Sequence, residues 1–423
     1  MMRQQFAAWQ ARLTSRGRAT WRGSFWLLWE RPLTAGLLTA ILYFAFAVNN
    51  DQPRWWLSQT PYFNYLADAF LHGSLELLEN RPPVSADLVV FNGSYFLYWP
   101  PFPALVMLPF VALFGPEVSD VLITLLLGAG NIALVAYLLR LLVLHGILSL
   151  SLIERGVLVI FTALGTVHTV LASHGRVWFT AQVIAFGLSL LAAIVVLRWR
   201  GWLSAVLLGT LAGALLLTRN HTVFTTLWPL ALFIRLHWGH TWRPRIGYTL
   251  LLGAPLMLGL GALLLYNNAR FGNPFENGLD YHLMAPLFAE DYAKYGPFHV
   301  HYLPTNLYYQ YLYYPLPWRE ESWMGGSLFL MSPLFLAAFW AWGTPAPRWS
   351  LLALIASIGL TATPILLLMG TGWVQYGPRY TLDFTMPLLI LTAMGVQRWP
   401  FLATALCAWV SICHYLYGVS IFM

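Results

Sequence analysis

The chain has 423 residues, of which 59% are hydrophobic and 9% charged, against roughly a quarter charged in ordinary soluble domains. So little charge cannot cover a water-facing surface, which excludes a soluble globular protein and points to a chain with many membrane crossings. The net charge of +7 does not point to nucleic acid, because the basic residues stand singly between apolar runs and build no continuous stripe.

Residues 1–32 are basic and aromatic and show no small-residue cleavage site before the first apolar core. They read as a cytoplasmic N-terminal segment, not as a cleavable leader. Residues 33–423 read as one transmembrane domain. Apolar runs that could cross the bilayer, uncharged apart from Asp120 and Arg235, fall near 33–48, 119–139, 156–173, 178–197, 203–218, 222–236, 246–267, 323–342, 349–369, 384–397 and 401–422, against the roughly 20 residues a crossing needs. The run 100–115, "PPFPALVMLPFVALFG", is short and proline-rich, so it is expected to lie in the interface or re-enter. Keeping it outside sorts the charges. With the N-terminus in the cytoplasm, 15 of the 23 Lys and Arg fall inside and 14 of the 16 acids outside. The positive-inside rule favours this eleven-crossing arrangement. It leaves two long external segments, 49–118 and 268–322.

Asp51, in "NNDQP", stands where the first crossing ends. Next, "PYFNYLADAFLHGSLELLE" at 61–79 sets Tyr62, Tyr65, Leu66, Ala69 and Phe70 on one helical face and Asn64, Asp68 and His72 on another. That pattern predicts an amphipathic helix lying on the outer leaflet. Asp68 reads either as a solvated face residue or, flanked by His72 and close behind Asp51, as a functional acid. In "VVFNGSYFLYWPP", at 89–101, an Asn92-Gly93 turn between apolar and aromatic runs predicts a hairpin.

Further outer turns carry cations. "SHGRVWFTAQ" at 173–182 brings His174, Arg176 and Gln182 together, "TRNHT" at 218–222 adds Arg219 and His221, and "VQYGPRYTLDF" at 374–384 adds Arg379 and Asp383. Such clusters serve as helix caps or as anion sites, and Arg379 and Asp383, four apart, can pair with each other. His299 and His301 alternate in the aromatic segment 268–322, without a third metal ligand at a recognisable spacing. Cys407 and Cys413 lie in the last apolar run and read as packing residues. There is no phosphate-gripping loop, Gly-x-Ser-x-Gly elbow or dinucleotide fingerprint.

The order of these features resembles the GT-C superfamily of membrane glycosyltransferases, which includes protein O-mannosyltransferases and lipid A aminoarabinose transferases. The likeness runs from a first crossing ended by Asp51, through "LADAFLHGSLEL", "YLLRLL", "HGRVW" and "LLLTRNHT", to "YNNARFGNPFENG" and "WVQYGPRYTLDF". It covers roughly residues 30–400. The resemblance implies an all-α polytopic fold of about eleven transmembrane helices with outer-face juxtamembrane helices, in the inner (plasma) membrane. It also implies transfer of a sugar, with inversion, from a polyprenyl-phosphate carrier to a lipid or glycan acceptor on the outer face. Asp51 matches the first-loop acid and is the expected general base. Arg176, Arg219 and Arg379 are expected to hold the donor phosphate, with His72, His174 and Asp383 as further substrate contacts. Many members carry a second acid in the next outer turn. "ASHGRVWFTAQ" has none, so Asp68 supplies that role or one carboxylate serves alone. No cofactor is expected, although a divalent metal is compatible with the family. The rival readings are a transporter or flippase for a lipid-linked glycan and a non-catalytic assembly subunit. A transporter should bury ionisable residues in mid-span, whereas here nearly all lie at the mouths of the crossings or in the loops between them.

Overall fold

Prolines, serines and glycines set the limits of most helices. The computed structural model describes residues 21–49, 56–77, 87–238 and 241–421, and Asp51 lies outside them. Helix α1 (Trp21–Glu30) is joined to α2 (Pro32–Val48), which has proline in its first turn, where a missing N–H costs nothing. Ala35, Thr39, Tyr43 and Ala47 form the buried i+4 stripe of α2. Next come α3 (Tyr62–Leu71), the hairpin β1 (Val89–Phe91) and β2 (Ser94–Phe96), and α4 (Phe102–Phe114). The hairpin pairs Val89 with Phe96 and Phe91 with Ser94. Both turn residues, Asn92 and Gly93, have positive φ, as the Asn-Gly turn predicts.

Helix α5 (Asp120–Leu144) starts where the Ser119 hydroxyl accepts the Leu122 N–H, and α6 (Leu152–Leu164) starts with a Ser151–Glu154 capping box. Arg155, on α6, pairs with Glu30 at 3.1 Å and ties α1 to the bundle. The chain bends by 49° into α7 (His168–His174). It then turns at Gly175 (φ +61), where a Cβ would lie 2.5 Å from the Val121 backbone, so only glycine fits. Helix α8 (Val177–Arg198) is the most buried of the long helices. Helices α9 (Gly201–Leu216) and α11 (Trp242–Phe271) cross closely. A Cβ at Gly209 would lie 2.3 Å from the Leu252 carbonyl oxygen, the small-residue contact by which membrane helices approach. Between them lies α10 (Leu227–His237), and after them come α12 (Pro286–Tyr295), α13 (Arg348–Leu367), α14 (Thr385–Val396) and α15 (Phe401–Ile421).

Helix or helical turn stands at each of the eleven expected crossings. Among the described residues, however, only five helices are long and apolar enough to span a bilayer, or six if the bent α6–α7 pair is one span. The shortfall has a local cause. Residues 220–226, 333–343 and 379–384 are wound as 3-10 turns, which shortens the helices that follow or replaces them. Irregular backbone at membrane depth is tolerated where it is enclosed in protein or lines a cavity. The segment 100–115 forms a 13-residue helix with Pro109 inside it, too short to span.

One expectation is corrected. The helix at 61–79 ends at Leu71, and of its expected polar face Asn64 and Asp68 are buried with the rest of 62–69, leaving only His72, beyond its end, exposed. Asn64 donates to the Pro116 and Val118 carbonyls at 3.1 and 2.7 Å. Those bonds replace water and let α3 sink beneath the loop before α5.

Candidate functional site

The segments 49–118 and 268–322 meet at the hairpin. Val89 forms an isolated antiparallel bridge with His282, and the Leu283 N–H bonds the Leu88 carbonyl at 3.0 Å, which ties the second segment to the free edge of β1. At the end of α11, Arg270 donates to the carbonyl of Leu97 at 2.5 Å and to Asn267 at 2.8 Å. Phe271 packs edge-on against Phe91 and Phe96. From the other side, Asn306 donates to the Leu366 and Leu368 carbonyls at 2.9 and 2.8 Å, fastening the second segment to the end of α13.

These contacts enclose a cavity of about 620 Å³, within the range of small-ligand sites. Its wall includes Asp87, Tyr98, Arg219, His282, Arg379 and Tyr380. Apolar groups line another part, among them Phe224, Leu263, Ile365 and Leu368. The unwound segments 220–226 and 379–384 bring the cations in. The Arg219 and Arg379 guanidinium carbons lie 5.7 and 4.7 Å from the centroid of the same Tyr380 ring. That shared ring puts both within reach of one ligand.

The arginines differ in how much of their hydrogen-bonding capacity is used. Arg219 bonds Asp383 through Nη2 at 2.9 Å and Nε at 3.1 Å. His221 Nε2 shares the same carboxylate at 2.9 Å, and the Gln182 amide donates to its other oxygen at 3.3 Å. Burial pushes the Asp383 acid up, but Arg219 and His221 outweigh it and hold it below the ordinary carboxylate range. Asp383 therefore pairs with Arg219 and not with Arg379, four residues before it, because the 3-10 turn carries the two side chains apart. Arg379 donates through Nε to the Gly372 carbonyl at 2.8 Å. Its Nη1 is buried and has no hydrogen-bond partner among the described residues, and the same is true of the Trp178 indole N–H on the same wall. Both atoms are covered by protein, and it is the two guanidinium groups sharing this wall that suit an anionic ligand.

Asp87 is the carboxylate on the wall. Burial pushes its acid up to about 6, against the downward pull of Arg379 and Arg176. Arg176 itself is not a wall residue. Its guanidinium lies 5.9 Å from the Phe179 ring centroid, and its charge acts on Asp87. Four arginines on or against the cavity (176, 219, 270 and 379) thus face Asp87 and Asp383, with Glu276 acting on Arg270. The balance is positive.

Of the sequence-predicted residues, Arg219 and Arg379 reach this wall. Asp51 lies outside the described residues. Asp68 is buried in α3 with His72 at 3.7 Å, and neither borders the cavity. His174 caps its own helix through the Val170 carbonyl at 2.8 Å, and Asp383 lies behind Arg219. Sequence reasoning missed Asp87, Tyr98, Arg270 and His282. The available signal for Asp87 was an acid directly before the first hairpin strand. For Arg270 and His282 no spacing announced it, since their partners are 173 and 193 residues away in sequence. Among the described residues, no three His, Cys, Asp or Glu side chains gather as a metal site. His299 and His301 instead stack on Tyr295, with centroids 5.0 and 4.0 Å away.

No protein-family model matches the chain, and no curated protein matches it. Among solved structures, it is similar to the apo crystal structure of the Archaeoglobus fulgidus oligosaccharyltransferase, with a TM-score of 0.43 and 12% identity over 92% of this chain. The match spans 55% of that protein, so this chain corresponds to about half of its length.

Proposed function

We propose that this chain is a membrane glycosyltransferase of the GT-C type. It takes a sugar from a polyprenyl-phosphate carrier and passes it, with inversion, to a hydroxyl of a lipid or glycan acceptor. The reaction faces the outer side of the inner membrane, with the chain crossing eleven times and its N-terminus in the cytoplasm. The observation that carries this reading is the cavity whose lining brings Asp87, Arg219 and Arg379 together.

The chemistry follows from those groups. As the acceptor oxygen attacks the anomeric carbon, Asp87 takes the hydroxyl proton. The bond from that carbon to the phosphate oxygen breaks on the opposite side, and its electron pair leaves with the lipid phosphate. Arg379 and Arg219 stabilise the charge that grows there, while Arg176 helps keep Asp87 ionised. Asp383 is a positioning residue, fixing Arg219 and His221 from behind. Lipid chains fit the apolar flank of Phe224, Leu263 and Leu368. The order of motifs that resembles the GT-C superfamily supports the same reading, and it makes Asp51 the rival base.

The test is incubation of purified protein with a panel of polyprenyl-phosphate sugars and an acceptor mixture, measuring released polyprenyl phosphate. Release with at least one sugar is expected. Binding and flipping of intact lipid-linked sugar, with no release from any, would replace a transferase with a transporter.

A further inference from the structure

His221 borders the cavity and carries a ring nitrogen that the mechanism above does not use. Its Nε2 lies 2.9 Å from Asp383, whose side chain has no exposed surface, while the His221 side chain keeps 19% of its own. The second nitrogen, Nδ1, has no hydrogen-bond partner among the described residues, and protein does not close it off as it closes off the Arg379 Nη1. The ring is thus anchored at one edge and open at the other.

The anchor fixes what the open nitrogen can do. An ionised carboxylate only accepts hydrogen bonds, and Asp383 is held below the ordinary carboxylate range, so Nε2 carries the proton. Burial lowers the imidazole pKa against the upward pull of Asp383, and the ring is neutral. A neutral ring protonated at Nε2 has a lone pair and no proton on Nδ1. That nitrogen accepts a hydrogen bond and cannot give one. Ionised phosphate oxygens have nothing to offer it, whereas a hydroxyl does.

Position narrows the choice of hydroxyl. Arg219 Nη2 and His221 Nε2 each lie 2.9 Å from the same oxygen of Asp383, so the imidazole stands beside a guanidinium that holds the phosphate. In the reaction proposed above, the acceptor attacks from the face of the sugar opposite that phosphate. A hydroxyl on the phosphate side belongs to the donor sugar and not to the incoming acceptor.

We propose, resting on the transferase reading, that His221 Nδ1 accepts a hydrogen bond from one hydroxyl of the sugar being transferred, and so rejects donors that lack it. The test measures binding of bare polyprenyl phosphate and of a panel of its sugar-bearing forms, without acceptor, to the full chain in lipid. Among donors each missing one hydroxyl, a single position should cost wild type about tenfold, the scale of a neutral hydrogen bond, and cost His221→Phe nothing. His221→Phe should accordingly lose about tenfold more on the complete sugar than on bare polyprenyl phosphate, whose binding also reports a folded site. His221→Ala takes its place if that variant binds neither. His221→Gln, which can still donate to Asp383 and accept from the ligand, should keep the penalty at the same position. Equal losses on the two ligands would mean that His221 acts only through Asp383 and Arg219, and would overturn the proposal. So would a wild type indifferent to every missing hydroxyl, or a penalty that survives unchanged in His221→Phe. If wild type bound no member of the panel, the transferase reading would fall as well.

Discussion

Arg270 and Arg379 are chemically identical and structurally opposite. Arg270 spends Nε, Nη1 and Nη2 on Tyr266, Leu97 and Asn267, so it latches the hairpin. Arg379 keeps a buried Nη1 without a partner. Arg379→Gln should therefore weaken donor binding by about 1.5–3 kcal/mol, the worth of a hydrogen bond to a charged group, with little change in melting temperature. Arg270→Gln should lower the melting temperature instead. Equal effects of the two on donor affinity would contradict this division. Asp383→Asn removes the carboxylate from a buried pair and leaves Arg219 uncompensated, which should cost about 3–5 kcal/mol in unfolding experiments. A variant as stable as wild type would show that the pair holds nothing together. Asp87 must be ionised to accept a proton, and its acid is raised to about 6. Turnover should then climb as pH rises through about 6 and level off above it. A profile flat through that range would remove Asp87 from the reaction.

Among the elements, the local ones were legible and the distant ones were not. Asn92-Gly93 announces its hairpin because the turn chemistry is contained in two residues. The apolar runs announce helices because lipid demands them. The unwinding at 220–226 and 379–384 is hidden, since nothing in "TRNHT" or "PRYTLDF" forbids an α-helix. The 3-10 winding is accompanied by tertiary bonds, as when Gln182 donates to the Arg379 carbonyl at 2.8 Å. Two of the three phosphate-site arginines expected from sequence reach the cavity for this reason, Arg219 directly before the 220–226 segment and Arg379 at the start of 379–384. The surface-helix reading of 61–79 failed because a polar stripe looks the same whether it faces water or the carbonyls of Pro116 and Val118. Gln182→Leu should let the 379–384 segment shift and lower turnover at least about tenfold, as misplaced catalytic groups do, without altering helix content by circular dichroism. Unchanged turnover would show that Gln182 does not set that segment.

For the whole molecule, the proposed sidedness, with the cavity outside, is open to direct test. Asn92 and Glu117 are exposed on the segment 49–118, and Ser149 is exposed between α5 and α6. Cysteines at the first two should react with an impermeant thiol reagent in intact cells. A cysteine at Ser149 should react only after permeabilisation. The reverse pattern would turn the cavity to the cytoplasm and take the external reaction with it. The central claim is that sugar transfer takes place at Asp87, and single-turnover release of polyprenyl phosphate tests it most directly, comparing wild type with Asp87→Asn and Asp51→Asn at matched donor occupancy. The structure predicts a loss of about 100-fold or more for Asp87→Asn, the reach of general-base catalysis, with donor affinity retained and a smaller effect for Asp51→Asn. Release by Asp87→Asn at the wild-type rate, with Asp51→Asn inactive, would contradict the account and move the base to the end of the first crossing.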